Sequence, residues 1–260
     1  MATALITGAS SGIGEIFARQ LGAESRDLVL VARSQDKLEE LAQELGSKYQ
    51  VKVVPISQDL TETGSRQKVF DTVQEQGLEI DLLVNNAGFG DYGSFSDRPL
   101  SKQMAMIQLN ISAVVELTGL FLPPMQQRKA GAIINVSSIA GFQPIPYMSV
   151  YAATKAFVLN FSEALWAENK DQGVKILALC PGPTESEFYK AAEFPSSATG
   201  VTGMTMADPD KVVAASLKAL DKGQANIVTG SLTNQIIVNL PRLVPRDLLV
   251  DAVGKQFKNI

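Results

Sequence analysis

Short apolar segments recur along this 260-residue chain, and longer stretches with helical patterning separate them. Most of these segments are apolar at every position, as a parallel strand covered on both faces requires. They occupy residues 3–7, 28–32, 51–56, 80–84, 132–137, 174–180 and 226–229. Between them, helices are predicted at residues 12–22, 34–49, 64–76, 101–127, 152–170 and 208–221. This alternation predicts an α/β fold, a doubly wound and predominantly parallel sheet of about seven strands with helices on both faces.

No linker, repeat or low-complexity tract interrupts the pattern, so residues 1–260 are expected to form a single domain. Residues 183–206 are rich in Ser, Thr, Gly and Ala, as a mobile loop over a binding site would be. In the tail, residues 231–260, prolines limit helix until after Pro245. The tail could pack on the sheet edge, form part of a substrate wall, or make a weak membrane contact.

Composition excludes several classes of function. A formal net charge of −4 gives no electrostatic reason to expect a nucleic acid as partner. No run approaches about 18 apolar residues and the first residues do not resemble a signal peptide, so no membrane span and a cytoplasmic location are expected. The chain has one cysteine, Cys180, and no histidine. These counts argue against a metal site and exclude a disulfide framework and histidine-dependent nucleophilic catalysis.

The sequence TGASSGIG, residues 7–14, follows the first predicted strand and opens the first predicted helix. This is the context of a dinucleotide-binding loop, although three glycines here could also form a structural turn. Gly8 permits the tight turn, Gly12 lets a pyrophosphate approach the backbone, and Gly14 lets the helix pack close to the strand. The exposed backbone N–H groups favour phosphate. The remaining cofactor-binding candidates in this loop are Ser10, Ser11 and Ile13.

The end of the second strand bears on the choice between NAD(H) and NADP(H). Folds selective for NAD place an acid there, which binds the ribose 2′-hydroxyl. This chain has Ala32 and Arg33 instead. A guanidinium can bind a 2′-phosphate bidentately, so NADP(H) is predicted to be preferred. The alternative is that Arg33 is only a solvated loop residue.

Further motifs follow the glycine loop in a fixed order: NNAG at 85–88, Asn110, the serine of NVSSIAG, YAATK at 151–155 and PGPT at 181–184. With TGASSGIG, this series resembles the compact, single-domain branch of the short-chain dehydrogenase/reductase superfamily. The resemblance covers residues 3–184. It implies a Rossmann-type fold and an oxidoreductase that acts on CH–OH or C=O groups.

Tyr151 and Lys155 are four residues apart and therefore share one face of a helix. A nearby cation lowers the pKa of a phenol from its ordinary value of about 10. Tyr151 is predicted to be the general acid/base, and the resemblance gives Lys155 a second role on the nicotinamide ribose. Ser138, thirteen residues before Tyr151, is predicted to bind the same substrate oxygen, while Ser137 points to the other side of the strand. The resemblance implies that Asn110 holds a water in a proton relay.

The resemblance also implies further cofactor contacts. Two residues would meet the adenine, three would line the adenosine side and three would cradle the nicotinamide. In that order they are Asp59 and Leu60; Asn86, Ala87 and Gly88; and Pro181, Gly182 and Thr184. The alternative for Asn85 or Asn86 is that it chiefly stabilises the neighbouring strand.

Aromatic and apolar residues dominate the expected substrate pocket, which favours a hydrophobic ketone over a sugar. The candidates are Phe89, Tyr92, Phe95, Phe142, Tyr147, Met148, Phe188 and Tyr189. The function predicted is reversible, NADPH-dependent reduction of such a ketone, or of a 3-oxoacyl chain, to an alcohol. A non-catalytic NADP(H)-sensing regulator or scaffold is the alternative. By resemblance, the helices at 101–127 and 152–170 would form a homodimer or homotetramer.

Overall fold

The structure is a computed structural model that describes residues 2–195 and 206–258. The strands are β1 (Thr3–Thr7), β2 (Asp27–Ala32), β3 (Val53–Ser57), β4 (Ile80–Asn85), β5 (Gly131–Val136), β6 (Val174–Pro181) and β7 (Asn226–Thr229). The helices up to β6 are α1 (Gly12–Ala23), α2 (Gln35–Tyr49), α3 (Ser65–Glu75), α4 (Leu100–Ile107), α5 (Ala113–Gln127) and α6 (Ser149–Glu168). After β6 come α7 (Phe188–Ala191), α8 (Pro209–Asp221), α9 (Leu232–Asn239) and α10 (Arg246–Lys258).

The strands form one parallel sheet in the order β3-β2-β1-β4-β5-β6-β7. Its two faces carry separate apolar cores. One contains Phe17 and Leu38 of the first two helices, and the other contains Leu117 and Phe121 of α5. The predicted fold class is therefore confirmed. The strand order reverses between β1 and β4, and a doubly wound sheet opens a ligand crevice at the carboxyl ends of the strands at such a point.

α4 and α5 belong to one continuous helical segment, Leu100–Gln127, which is joined by a π-helical turn at Gln108–Ser112. By length and mean hydropathy, 1.6 over its most apolar window, this is the one helix among the described residues that could cross a membrane. In the fold one face of α5 packs on the sheet through the buried residues Ala113, Leu117 and Phe121. Leu100 and Met104 of α4 and Val115 of α5 are exposed. Polar residues interrupt this segment, so it contains no unbroken apolar run of the kind by which a membrane span is expected from the sequence.

The tail forms α9 and α10, and α10 packs on the body of the fold. Leu249 and Val253 are buried in a third apolar cluster with Met148 and Tyr151. The tail therefore reaches the carboxyl end of the sheet, where the candidate site lies.

Candidate active site

A cavity of about 620 Å³ opens at the carboxyl ends of the central strands. One end is lined by the glycine loop and the residues that follow β2 to β4, and the other end by apolar side chains of the segment around α7 and of the tail. The predicted binding residues on its wall are Gly8, Ser10, Ser11, Gly12, Ile13, Arg33, Asp59, Leu60, Asn86, Ala87, Gly88, Pro181, Gly182 and Thr184. The predicted residues Ser138, Tyr151 and Lys155 also line it.

The glycine loop has the geometry that a dinucleotide requires. Gly8 and Gly12 adopt φ values of +66° and +57°, a region that L side chains rarely adopt. A Cβ on Gly14 would overlap the Gly8 carbonyl oxygen, so this glycine lets α1 pack against β1 and does not itself line the cavity. Ser11 precedes α1 without a side-chain capping bond, which leaves backbone N–H groups at the helix start for a phosphate. The residues present therefore fit a dinucleotide.

Arg33 lies at the end of β2, exposed on the cavity wall. Within the part of the chain that the structure describes, its guanidinium makes no ion pair. Ser34 occupies the predicted N-cap position of α2, but its hydroxyl makes no capping bond, and it also lines the cavity. These two neighbouring residues lie at the end of the cavity that the glycine loop also lines.

Asp59 lies across this end of the cavity, but its carboxylate is engaged within its own loop. It accepts hydrogen bonds from the backbone N–H of Thr61 at 2.8 Å and from the Thr61 hydroxyl at 2.7 Å. Burial raises the pKa of Asp59, while these bonds and the charge of Arg33 more than offset it, so the pKa lies below its usual value. The carboxylate is thus held ionised close to Arg33.

The two asparagines of NNAG have different partners. Asn85 donates to Asn135 of β5 at 2.9 Å and to Thr118 of α5 at 3.2 Å, so it ties the sheet to a helix. The Asn86 amide donates to the Thr7 carbonyl at 2.9 Å and so fixes the start of the glycine loop. Asn86 thus shapes the cofactor end of the cavity, whereas Asn85 stabilises the strands.

Ser138 and Tyr151 lie together at the centre of the cavity. Ser138 is the second residue after β5, and its hydroxyl lies close to the Tyr151 phenol. The neighbouring Ser137 faces the opposite side, where its hydroxyl donates to the Lys155 carbonyl at 2.7 Å. The alternation expected of a strand therefore directs Ser138 alone to the phenol.

Lys155 follows Tyr151 by one turn of α6 and is buried. Its Nζ donates to the Val136 carbonyl at 2.8 Å and lies 5.8 Å from the centre of the Tyr151 ring. Burial lowers the pKa of Lys155 to about 8. Its charge is therefore sensitive to pH in the range where enzymes are usually assayed.

The pKa of Tyr151 is raised, whereas the sequence predicted that Lys155 would lower it. Burial raises this pKa above its ordinary value, and the Ser138 hydroxyl lowers it by less. In the protein alone, desolvation of the phenolate thus outweighs the predicted effect of Lys155, since the phenol is buried and the Lys155 ammonium donates to the Val136 carbonyl. The oxidised nicotinamide, when bound, supplies a positive charge that acts in the opposite direction.

Asn110 is buried on the π-helical turn between α4 and α5. Its Oδ1 accepts from the Phe89 N–H at 3.1 Å, and its Nδ2 donates to the Phe89 carbonyl at 3.0 Å and to the Thr154 hydroxyl at 3.1 Å. A Cβ on Gly88 would lie 2.9 Å from the same Oδ1 and 3.4 Å from the Lys155 Nζ. Asn110 thus fixes the backbone of the loop after β4 beside Lys155. Its role in a water relay stays a prediction. The π turn is often found at functional sites.

At the substrate end, Phe89, Met148, Phe188 and Tyr189 line the cavity as predicted. The Tyr151 and Phe188 rings are 5.2 Å apart between centres, so the apolar wall begins beside the phenol.

Four other aromatic candidates do not line the cavity, and these assignments are corrected. The Tyr92 hydroxyl donates to the Phe257 carbonyl at 2.5 Å, and its ring faces Tyr147 at 6.4 Å on the far side of the wall. Phe142 packs against the buried residues of α6 and β6, and Phe95 is 58% exposed. Loop aromatics can face either side of the backbone, and the sequence carries no periodicity that decides between them.

Several cavity residues were not predicted; some are sequence neighbours of predicted residues, and others come from the distant tail. The residues not predicted include Ser34, Gln58, Thr61, Ile139, Gln143, Ile145, Ser186, Phe194, Ile237, Leu240, Leu249, Ala252, Val253, Gln256 and Phe257. The tail therefore forms a wall of the site, one of the alternatives left open by the sequence. The predicted loop 183–206 contributes Ser186 and the α7 region, and its residues 196–205 lie outside the described part of the chain.

An ion cluster fixes the loop after β4 to the segment after α7. The buried Asp91 carboxylate accepts hydrogen bonds from Arg98 at 2.5 and 2.8 Å and from Gln103 at 2.5 Å, and it forms an ion pair with Lys102 at 2.7 Å. Glu193 binds the same Arg98 and Lys102 from the surface. The two segments that carry the aromatic wall are therefore held together by charge.

Comparison with known proteins agrees with this geometry. The family profile described as "short chain dehydrogenase" matches residues 2–194. The very-long-chain 3-oxoacyl-CoA reductase of Anas platyrhynchos is 39% identical over 200 residues, which cover 74% of this chain but only 62% of the reductase. The 17-beta-hydroxysteroid dehydrogenase type 3 of Rattus norvegicus is 31% identical over 98% of this chain and 80% of its own length.

A solved short-chain dehydrogenase from Sphingobium yanoikuyae, in complex with NADPH, superposes with a TM-score of 0.83 at 32% identity and covers 96% of both chains. A 7beta-hydroxysteroid dehydrogenase superposes with a TM-score of 0.86 at 26% identity, covering 97% of this chain and 96% of its own. The profile match over residues 2–194, the relatives and the parallel sheet agree with the motif series, and the chain belongs to the short-chain dehydrogenase/reductase family.

Proposed function

We propose that the protein reduces a hydrophobic ketone, or a 3-oxoacyl group, to an alcohol with NADPH, and that the reaction is reversible. The observation that carries this proposal is the position of Ser138 and Tyr151 between the two halves of one cavity. On one side lies the glycine loop, which fits a dinucleotide, and on the other an apolar wall that begins at Phe188. A carbonyl group bound between them lies beside a proton donor.

The chain's own residues then divide the work. The Tyr151 hydroxyl gives its proton to the substrate oxygen, while Ser138 donates a hydrogen bond to that oxygen and stabilises its developing charge. The reduced nicotinamide supplies the hydride when bound. The raised pKa of Tyr151 keeps the phenol protonated at neutral pH, which suits the reductive direction. Lys155 places positive charge near the ring.

The preference for NADP(H) is supported by Ala32 and Arg33 at the end of β2. An acid there would repel the 2′-phosphate, and neither residue is acidic. Arg33 instead offers a guanidinium, which lies on the cavity wall without an ion pair among the described residues. Such a group binds phosphate with two parallel hydrogen bonds.

The apolar character of the substrate end supports an apolar substrate. Its wall combines aromatic rings with the aliphatic residues Leu249 and Val253 of the tail. The two relatives named above are a 3-oxoacyl-CoA reductase and a hydroxysteroid dehydrogenase. We therefore propose a 3-oxoacyl or steroid-like ketone and not a sugar.

The proposal is tested by steady-state kinetics with a panel of ketones and both cofactors. Apolar ketones with NADPH should give a kcat/KM at least tenfold above that of a sugar ketone, and above that with NADH. Binding of NADPH without turnover of any ketone would instead support the non-catalytic, sensing alternative. Equal or better turnover with NADH would overturn the cofactor preference alone.

A further inference from the structure

The tail carries a cluster of exposed apolar side chains, most of which do not line the cavity. Leu232 is 85% exposed, Ile236 67% and Leu243 82%. Exposed patches of large apolar residues mark interaction surfaces in soluble proteins. These residues, with the partly exposed Leu240 and Leu248, are here called the tail patch.

The tail patch has a regular arrangement. Leu232, Ile236 and Leu240 are spaced by four residues and lie on one face of α9 and the turn that follows it. The opposite face is buried through Asn234 and Val238. The apolar face is therefore a fixed feature of a packed helix, and its side chains point away from the core.

The tail patch borders the substrate end of the cavity. Leu240 belongs to both, because it is 39% exposed and also lines the cavity. The adjacent Ile237 lines the cavity as well. The apolar surface is therefore continuous from the outer face of α9 to the interior of the site.

The charge around the tail patch is unusual for this chain. The protein has 27 acidic residues in 260 and a net charge of −4, yet residues 222–246 contain no Asp or Glu. Arg242 and Arg246 lie exposed beside Leu243 and make no ion pair within the described ranges. The exposed Asp247 lies between Arg246 and Leu248, so two exposed arginines stand against one acid at the tail patch. An apolar surface with this excess of arginine is complementary to a bilayer that is apolar inside and anionic outside.

We propose that the tail patch docks the protein peripherally on an anionic lipid bilayer, with the mouth of the cavity facing the membrane. Leu232, Ile236 and Leu243 enter the interface, and Arg242 and Arg246 bind lipid headgroups. The tail patch is defined by five residues, whereas a standard contact between two protein copies involves about 20–30 residues on each side, which favours the bilayer as partner. If the proposed function holds, an apolar ketone dissolved in the bilayer would enter the cavity past Leu240.

The test is co-sedimentation of the full chain with vesicles. Phosphatidylcholine vesicles are compared with vesicles that contain 30% phosphatidylserine, at low and high salt. The wild-type protein should pellet with the anionic vesicles and be released by salt. Replacing Arg242 and Arg246 by Gln should weaken binding by about fivefold for each charge removed.

The double variant Leu232→Asn/Leu243→Asn should lose binding by more than tenfold. Leu100→Asn is the matched control, because Leu100 is a leucine with 66% exposure outside the patch. It should bind as the wild type does. Circular dichroism and NADPH-dependent reduction of a water-soluble ketone confirm that each variant is folded, and the binding readout itself requires no turnover.

Wild-type protein that fails to pellet with anionic vesicles would overturn the proposal. So would equal pelleting of the double variant and the wild type. A third contrary result is a dimer that the double variant converts to monomer with no change in vesicle binding, since the tail patch would then be a contact between copies.

Discussion

Asp91 provides a sharp test of how the wall of the site is held together. Its carboxylate has no exposed surface, and it receives two hydrogen bonds from Arg98 and an ion pair from Lys102. Asp91→Asn keeps the shape of the side chain and removes the charge. Hydrogen bonds to charged groups contribute about 1.5–3 kcal/mol each, against about 0.5–1.5 kcal/mol for neutral pairs.

Weakening three such contacts by about 1 kcal/mol each predicts a loss of about 3 kcal/mol in the free energy of unfolding. For a chain of this size that corresponds to a fall in Tm of about 6–12 °C. Urea denaturation and thermal melts measure both quantities. Glu193→Gln is the matched control, because Glu193 binds the same two cations from an exposed position. This substitution should lower the free energy of unfolding far less than Asp91→Asn does.

The effect of Asp91→Asn also depends on pH in a defined direction. Burial raises the pKa of Asp91, but the hydrogen bonds and charges of Arg98 and Lys102 outweigh it and hold the pKa below the usual value. A lowered carboxyl pKa gives stability that is complete above the unfolded value of about 4 and is lost as the pH falls below it. The difference in the free energy of unfolding between the wild type and Asp91→Asn should be largest at pH 7 and should shrink below pH 4. A loss no larger than that of Glu193→Gln would refute this reasoning.

Three further predictions concern catalysis and cofactor choice. Arg33→Ala should raise the KM for NADPH by about tenfold to a hundredfold and leave the KM for NADH unchanged, because one charged phosphate contact is lost; an equal rise for both would contradict it. Ser138→Ala should lower kcat by about a hundredfold and also lower Tm slightly, because its hydroxyl accepts from the Ala140 N–H, whereas Ser137→Ala should lower Tm slightly and spare kcat. In a pH series, kcat/KM for reduction should fall above about pH 8 as Lys155 loses its proton, and a flat profile up to pH 10 would oppose that role.

The sequence predicts the sheet well because its strands are buried on both faces, and burial leaves continuous apolar runs. It also predicts the proximity of Tyr151 and Lys155, since four residues make one helical turn. It does not reveal the π turn that presents Asn110, because one extra residue in a turn leaves no mark on the apolar pattern. Nor does it assign Tyr92 and Phe142 to the outside of the wall, because a loop side chain can face either way.

The tail is the largest gap between sequence and site. Leu249 and Val253 line a cavity formed mainly by residues more than sixty positions earlier in the chain. Asp91 and Glu193 meet through Arg98 although they are about a hundred residues apart. Contacts of this kind follow from tertiary packing and have no local signal.

The most direct test of the account is Tyr151→Phe, measured as single-turnover reduction of an apolar ketone by NADPH. The rate should fall by about a thousandfold, as loss of a positioned general acid implies, while NADPH binding followed by fluorescence stays the same. Tyr147→Phe is the matched control, because it removes a phenol hydroxyl from a tyrosine that does not line the cavity. This variant should reduce the ketone at the wild-type rate. A Tyr151→Phe protein that reduces the ketone at the wild-type rate would contradict the central role of this phenol.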